Sequence, residues 1–168
     1  MPTAHDIAGR VRTTLEHIPE AARRLGIAGG AWTILIKEEL AKLADEMAFE
    51  VGTTIAAADD RPEPEWAYDM AWTNSGAEAT RLPLVLECEW HADREEQIDD
   101  DFRELLLTPA DLRVLVFQQP SATAVQTIMD GLERQARTGA AVRPGDLCLL
   151  CGYDWQDTQR FTFRTVAR

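Results

Sequence analysis

Short apolar runs that alternate with amphipathic segments constrain the fold of this chain more than any other feature. The runs LPLVL at 82–86 and LRVLVFQ at 112–118 have the length of buried strands, and residues 93–107 between them place apolar side chains at helical spacing. A helix capped by Ser121 and a pair of strands are predicted to follow. This order predicts a three-layer α/β domain, in which helices flank a mixed central sheet.

The length and composition suit one domain with a buried core. The chain has 168 residues, of which 45% are hydrophobic. Two amphipathic helices are predicted at 4–25 and 31–50, and further strands at 51–58 and 66–74. We divide the chain into an N-terminal helical extension, a core that carries the candidate site, and a C-terminal helix with a strand pair. These three parts are residues 1–30, 31–118 and 119–168.

Composition indicates a protein that resides in the cytoplasm and has no membrane segment. No apolar run approaches the roughly 18 residues of a membrane helix, and the segment MPTAHDIAGRVRTTLEH lacks the apolar stretch of a signal peptide. The cysteines Cys88, Cys148 and Cys151 are odd in number and lie in strand-like segments. Buried, unpaired thiols are typical of a reducing compartment.

The charge balance bears on the choice of partner. The formal net charge is −12, and Lys37 and Lys42 are the only lysines. An acidic surface weakens attraction to phosphate backbones, so composition disfavours nucleic acid as a partner without excluding it. The acidic composition is compatible with a protein partner, and the five tryptophans are compatible with a homodimer interface.

Three carboxylates are predicted to converge where the run LPLVL ends. Glu87 and Glu89 are two residues apart, so their side chains point to the same face of a strand. Asp69 lies on the small-residue face of the preceding strand, and consecutive strands are usually neighbours. Acids this close repel one another unless they are protonated or bind a metal ion, and carboxylate oxygens suit Mg²⁺ or Mn²⁺. The alternative is that these acids are solvated or paired with arginine at a strand end.

The pattern resembles the PD-(D/E)XK nuclease superfamily, which has the restriction-endonuclease-like fold. The resemblance rests on Asp69, the sequence ECE at 87–89 after an apolar strand, and the helix and LRVLVF run that follow; it covers about residues 31–117. It implies that Asp69 and Glu87 bind Mg²⁺ or Mn²⁺ for the hydrolysis of a phosphodiester bond. Glu89 stands where the family has its lysine, so the cation usual at that position is missing.

Two further residues, Arg94 and Glu39, are candidates for the same site, and His91 lies on the same strand face. Arg94 falls on the inward side of the helix that follows the glutamates; it would stabilise negative charge but not act as a base, because arginine stays protonated. Its alternative role is a local ion pair with one of the two glutamates. Glu39 borders the core stripe of the second helix and is the helical acid expected to complete the site, unless it is simply solvated. His91 shares the face of Glu89 and is otherwise an ordinary surface histidine.

Two functions of different classes follow from these patterns. The first is metal-dependent phosphodiester hydrolysis by a DNA endonuclease, with Asp69 and Glu87 as metal ligands and Glu89 positioning the water. The second is a catalytically inactive protein of the same fold, a binding or regulatory module that uses its acidic surface to bind a basic partner. The convergence of the three acids favours the first, and the net charge favours the second.

Overall fold

A computed structural model of the protein describes residues 2–28, 30–53, 68–74, 81–91, 95–139 and 143–167. In these ranges the chain forms four helices and six strands. The helices are α1 (Ala4–Leu25), α2 (Ala31–Glu46), α3 (Glu95–Leu107) and α4 (Ala122–Thr138). The strands are β1 (Phe49–Thr53), β2 (Met70–Asn74), β3 (Leu82–Glu89), β4 (Ala110–Gln119), β5 (Leu147–Asp154) and β6 (Phe161–Ala167).

The six strands form one mixed sheet in chain order, from β1 to β6. β1, β2 and β3 are an antiparallel meander, β3 to β5 are parallel, and β6 returns antiparallel to β5. Each parallel connection passes through a helix, first α3 and then α4, because parallel neighbours need a crossover. α1 and α2 cover one face of the sheet, and α3 and α4 cover the other. The predicted three-layer α/β fold with a mixed sheet is confirmed.

The central strands are buried on both faces of the sheet, and alternate residues along each strand pack into opposite layers. In β3, Leu84 and Leu86 pack with α1 and α2, whereas Val85 packs with α3 and α4. β4 alternates in the same way, with Leu112, Val114 and Val116 on the first face and Leu115 and Phe117 on the second. A strand that is covered on both sides reads as a continuous apolar run, which is why LPLVL and LRVLVFQ lack polar alternation.

Local capping sets the ends of the helices. Thr3 and Asp6 form a capping box at the start of α1, in which the Thr3 backbone N–H donates to Asp6 Oδ2 at 2.9 Å. Gly26 ends this helix in the left-handed conformation, with φ of 67°. Ser121 caps α4 as predicted, since its Oγ accepts a hydrogen bond from the Ala124 backbone at 3.1 Å. Within the described ranges, no helix is both long and apolar enough to span a membrane.

The second helix is shorter than its apolar stripe predicted. It was expected to reach Glu50, but it ends at Glu46 because Ala48 adopts a left-handed conformation with φ of 61°. β1 therefore begins at Phe49, two residues before the predicted start at Val51. An alanine gives no sequence signal for a left-handed turn, which glycine or asparagine would have given.

A buried charge network fixes α3 against the sheet. Arg113 of β4 is 1% exposed, and its guanidinium donates to the carbonyls of Leu105 at 2.9 Å and Thr108 at 2.7 Å. The same group contacts Asp146 at 3.2 Å, and Asp146 accepts a second bond from Arg81 at 2.5 Å. The network thus ties the end of α3 to the starts of β4 and β5.

Candidate functional site

Asp69 and Glu87 lie opposite each other where β2 and β3 meet. Met70 is paired with Leu86 in the antiparallel register, so the next residue outward on each strand places Asp69 opposite Glu87. Side chains that are directly opposed in an antiparallel pair point to the same face. Glu89 shares that face because it follows Glu87 by two residues. The register therefore brings the three predicted acids to one corner of the sheet, on the side of α3.

The carboxylate of Asp69 completes the strand pairing. The chain bends at Tyr68 and Asp69, just before β2 begins at Met70. The Asp69 Oδ2 atom accepts a hydrogen bond from the Cys88 backbone N–H at 2.9 Å. A side-chain oxygen thus satisfies a backbone donor of β3 at the point where the ladder with β2 stops. The strand was predicted to start at Trp66, which lies outside the described residues.

Burial and nearby negative charges raise the pKa of Asp69 and of Glu87. Burial raises the pKa of Glu87 to about 8, and the nearby charges of Asp69 and Asp101 add to the rise. Burial also raises the pKa of Asp69, while the hydrogen bond from Cys88 and the positive charge of Lys37 oppose the rise. Glu87 therefore carries a proton at neutral pH when no cation is bound.

A fourth carboxylate comes from α3. Asp101 is partly buried and accepts a hydrogen bond from Gln97 at 3.0 Å. Burial raises its pKa, as do the charges of Glu89 and Asp69. Asp101 is not among the residues predicted from the sequence, where it stands in a run of three aspartates. The sequence did contain a signal that Asp101 lies on the buried face of α3. The buried residues Ile98 and Leu105 lie three positions before it and four positions after it, which is helical spacing.

The Glu89 carboxylate is hydrogen-bonded by His91, which follows the end of β3. It is 9% exposed, and its Oε1 atom accepts a hydrogen bond from the His91 backbone N–H at 2.5 Å. The same oxygen lies 2.8 Å from His91 Nδ1, so the two side chains form an ion pair when the imidazole is protonated. The predicted proximity of His91 to Glu89 is therefore present, and it fixes the orientation of the carboxylate.

Glu39 is not brought to the acidic corner. It accepts a hydrogen bond from Lys42 at 2.6 Å, and it lines a surface groove with Thr13 and Thr14 of α1. The reason is its position on the edge of α2 that borders α1, away from the side of the sheet that carries Glu87. Arg94, the cation predicted from the sequence, lies outside the described residues.

The donor set at the corner fits a hard divalent cation. Mg²⁺ is usually held by only one or two carboxylates, with waters and substrate phosphates completing its shell, and Asp69 and Glu87 supply such a pair. The charge of Asp69 raises the pKa of Glu87 and of Asp101, so a bound cation would relieve this repulsion. Across the described ranges, no group of three or more His, Cys, Asp or Glu side chains is gathered as metal ligands.

Fold and site together define the class of the protein. It is an α/β protein whose mixed sheet brings Asp69, Glu87 and Glu89 to one corner, where Asp101 of α3 joins them. Comparison with family models, with curated proteins and with solved structures finds no match for the chain.

Proposed function

We propose that the protein is a metal-dependent nuclease that hydrolyses phosphodiester bonds of DNA at this acidic corner. The observation that carries the proposal is the strand register, which sets Asp69 opposite Glu87 on the face that α3 covers. Asp69 and Glu87 would hold a Mg²⁺ or Mn²⁺ ion. When bound, such an ion polarises the phosphoryl group and lowers the pKa of a bound water.

The remaining acids take roles that follow from their surroundings. Glu89 positions the attacking water, because it lies on the same face as Glu87 and its orientation is fixed by His91. Asp101 faces the same corner from α3 and adds negative charge that attracts a cation. Glu39 has no part in the reaction, since its carboxylate is paired with Lys42.

The order of elements supports the resemblance to the PD-(D/E)XK nucleases. That resemblance rests on a helix, a strand with an aspartate, an apolar strand that ends in the ECE sequence, and a further helix and strand. In the chain these are α2, the bend before β2, β3, α3 and β4. β2 and β3 are antiparallel, and β3 and β4 are parallel across α3, so the acids gather at one corner of the sheet.

A second candidate function is supported by the acidic surface of α3. Its outward side carries Glu95, Glu96 and Asp100, all exposed, next to the site. Together with the net charge of −12, this surface opposes the approach of DNA and favours a basic protein. In this second candidate the fold is retained without catalysis, and the protein acts as a binding or regulatory module.

Metal binding and cleavage together test the proposal. Calorimetry with Mn²⁺ is carried out on the wild type, on the Asp69→Ala/Glu87→Ala double variant and on Glu39→Ala as a matched acid outside the corner. The same proteins are then incubated with single- and double-stranded DNA and RNA. We expect the wild type and Glu39→Ala to bind Mn²⁺ and cleave DNA, and the double variant to lose both activities.

The opposite result selects the second candidate. A wild type that binds Mn²⁺ no more tightly than millimolar and cleaves none of the four substrates would remove the nuclease proposal. Cleavage of RNA alone would keep the chemistry and change the substrate. Retention of cleavage by the double variant would place the reaction elsewhere in the molecule.

A further inference from the structure

The outer side of β6 is an unpaired strand edge. β6 is the last strand of the sheet and pairs with β5 in a continuous register, from Phe161 opposite Tyr153 to Ala167 opposite Leu147. Within the described ranges, no other strand or loop backbone pairs with its outer side. Every second residue of an antiparallel edge strand directs its N–H and C=O groups outward, so this edge can bind another strand.

The edge lacks the features that usually prevent strands from pairing. Sheet edges are commonly protected by lysine, by proline, by a β-bulge or by a covering segment. The sequence FTFRTVA of β6 contains no lysine or proline, and its register with β5 has no bulge. The charged residue of β6, Arg164, is directed to α4, where it donates to Asp130 at 2.6 Å and to Glu133 at 3.0 Å. Strand addition to β6 is therefore not blocked by its own side chains.

Half-buried aromatic rings lie along the same edge. Phe161 and Phe163 lie on the α1 side of β6, and their ring centroids are 5.7 Å apart. The row continues inward to Tyr153, whose centroid is 5.3 Å from that of Phe161. The guanidinium of Arg12 lies 5.3 Å from the centroid of the Phe163 ring. Aromatic and arginine side chains are enriched at protein–protein interfaces, so the composition of this edge is typical of one.

The charges beside this edge indicate which partner it fits. Arg12 pairs with Glu16 at 3.0 Å, and Arg164 pairs with two acids of α4. A phosphate backbone requires an excess of positive charge, and a basic protein requires an excess of negative charge. These ion pairs leave neither excess over β6. Two copies of an acidic chain can therefore meet here with less repulsion than at the acidic surface of α3.

We propose that β6 pairs antiparallel with β6 of a second copy of the chain, so that two sheets join into one dimeric sheet. Identical strands paired in this way are related by a twofold axis perpendicular to the sheet. Each face of one copy then continues into the same face of the other, so the apolar side with Phe161 and Phe163 meets its own copy. The two acidic corners lie together on the opposite side. The inference goes beyond the proposed nuclease function and does not depend on it.

The side chains of β6 favour one register for this pair. A residue on the twofold axis lies opposite its own copy, so a pair centred on Arg164 would oppose two guanidinium groups. A pair centred on Phe163 sets the two phenyl rings side by side. It also places Thr162 opposite Arg164 of the second copy. The charge at position 162 therefore controls the stability of the dimer.

Two measurements on the full chain test the pairing and its location. Sedimentation velocity over a concentration series should show the wild type approaching twice the mass of one chain. Hydrogen exchange should become slower at Phe161–Ala167 as the concentration rises, because the outward amides become hydrogen-bonded. Exchange at Phe49–Thr53, in the opposite edge strand β1, should not depend on concentration and is the internal control.

Two substitutions of opposite charge at one half-buried threonine test the register. Thr162→Lys should raise the dissociation constant of the dimer by a factor on the order of 10, because the repulsion with Arg164 occurs twice across the axis. Thr162→Glu should lower the dissociation constant. These directions oppose the effect of net charge, since lysine brings an acidic chain nearer to neutrality and glutamate takes it further away. Thr13→Lys and Thr13→Glu are the matched controls, because Thr13 is an exposed residue of the groove between α1 and α2.

Each remaining outcome decides the inference. A wild type that stays monomeric up to its solubility limit overturns it and leaves the nuclease proposal untouched. A dimer that slows exchange in β1 but not in β6 also overturns it, as does a dimer in which the Thr162 and Thr13 variants behave alike. If β6 is protected only when single-stranded DNA is added and the chain keeps the mass of a monomer, the edge binds nucleic acid and self-pairing is wrong. Should Thr162→Lys fail to fold, the exchange of β6 in the wild type still decides.

Discussion

At the scale of single residues, the acidic corner depends on two periodicities that the sequence already contains. Side chains alternate along a strand, so Glu87 and Glu89 share a face whatever the rest of the fold. Neighbouring strands in the chain usually pair, and the register of β2 with β3 places Asp69 opposite Glu87. This register buries Glu87 beside Asp69, and the burial raises the pKa of Glu87 to about 8.

The raised pKa of Glu87 predicts a pH-dependent stability. A group whose pKa is higher in the folded protein stabilises it while protonated; here the contribution is complete below about pH 4.5 and is lost as pH rises through about 8. Glu87→Gln imitates the protonated form and removes this loss. We expect the metal-free variant to gain at least about 1 kcal/mol relative to wild type between pH 5 and pH 9, since one pKa unit corresponds to about 1.4 kcal/mol.

Urea unfolding at several pH values measures this difference. Glu95→Gln is the matched control, because Glu95 is an exposed glutamate at the start of α3. The difference between Glu87→Gln and wild type should grow with pH, and the difference for Glu95→Gln should stay flat. Equal pH profiles for the two variants would show that the Glu87 carboxyl is not perturbed by burial.

At the scale of secondary-structure elements, helix faces were harder to predict than strand faces. Glu39 was expected at the site because it borders the core stripe of α2. A residue at the edge of a helix contacts either the sheet or a neighbouring helix, and the sequence does not say which. In the structure that neighbour is α1. Asp101 lies on the inward face of α3, as its spacing from Ile98 and Leu105 indicates, but it was not assigned to the site because it stands in the acidic run DDD at 99–101.

The position of α3 matters because it brings Asp101 to the site, and the buried charge network holds the end of this helix. Asp146→Ala would leave Arg113 buried without its carboxylate, which typically costs about 3 to 5 kcal/mol of unfolding free energy. Asp111→Ala is the control, since Asp111 is an exposed partner of Arg81 and should cost less than about 1 kcal/mol. Urea unfolding at neutral pH measures both. Similar losses for the two variants would mean that the network contributes no more than a surface ion pair.

At the scale of the whole molecule, the layer architecture could be predicted, but the relative directions of the strands could not. The alternation of apolar runs with amphipathic segments requires helices on both faces of a sheet. The sequence contains no equally strong signal for which strands are parallel, because that depends on contacts between distant segments such as Leu112 with Leu147. The segment that carries Arg94 lies outside the described residues, so the predicted contribution of this arginine stays a prediction.

The distribution of charge over the molecule predicts how DNA approaches the site. The exposed acids Glu95 and Glu96 stand at the start of α3, close to the acidic corner, and repel a phosphate backbone. If the nuclease proposal holds, Glu95→Gln/Glu96→Gln should lower KM for DNA several-fold at low salt and leave kcat unchanged, because only the encounter is affected. The effect should shrink as salt is added, since exposed charges are screened over about 10 Å at 0.1 M.

The control for this prediction changes the net charge by the same amount at a different place. Glu20→Gln/Asp45→Asn neutralises two exposed acids of the α1–α2 layer, on the other side of the sheet. If the local field at α3 governs the approach, this variant should keep the KM of the wild type at every salt concentration. If both double variants lower KM equally, the overall charge of −12, and not the local field at α3, governs the approach of DNA. An unchanged KM for the α3 variant would mean that DNA reaches the corner from the side of β1 and β2, past Asp69 instead of past α3.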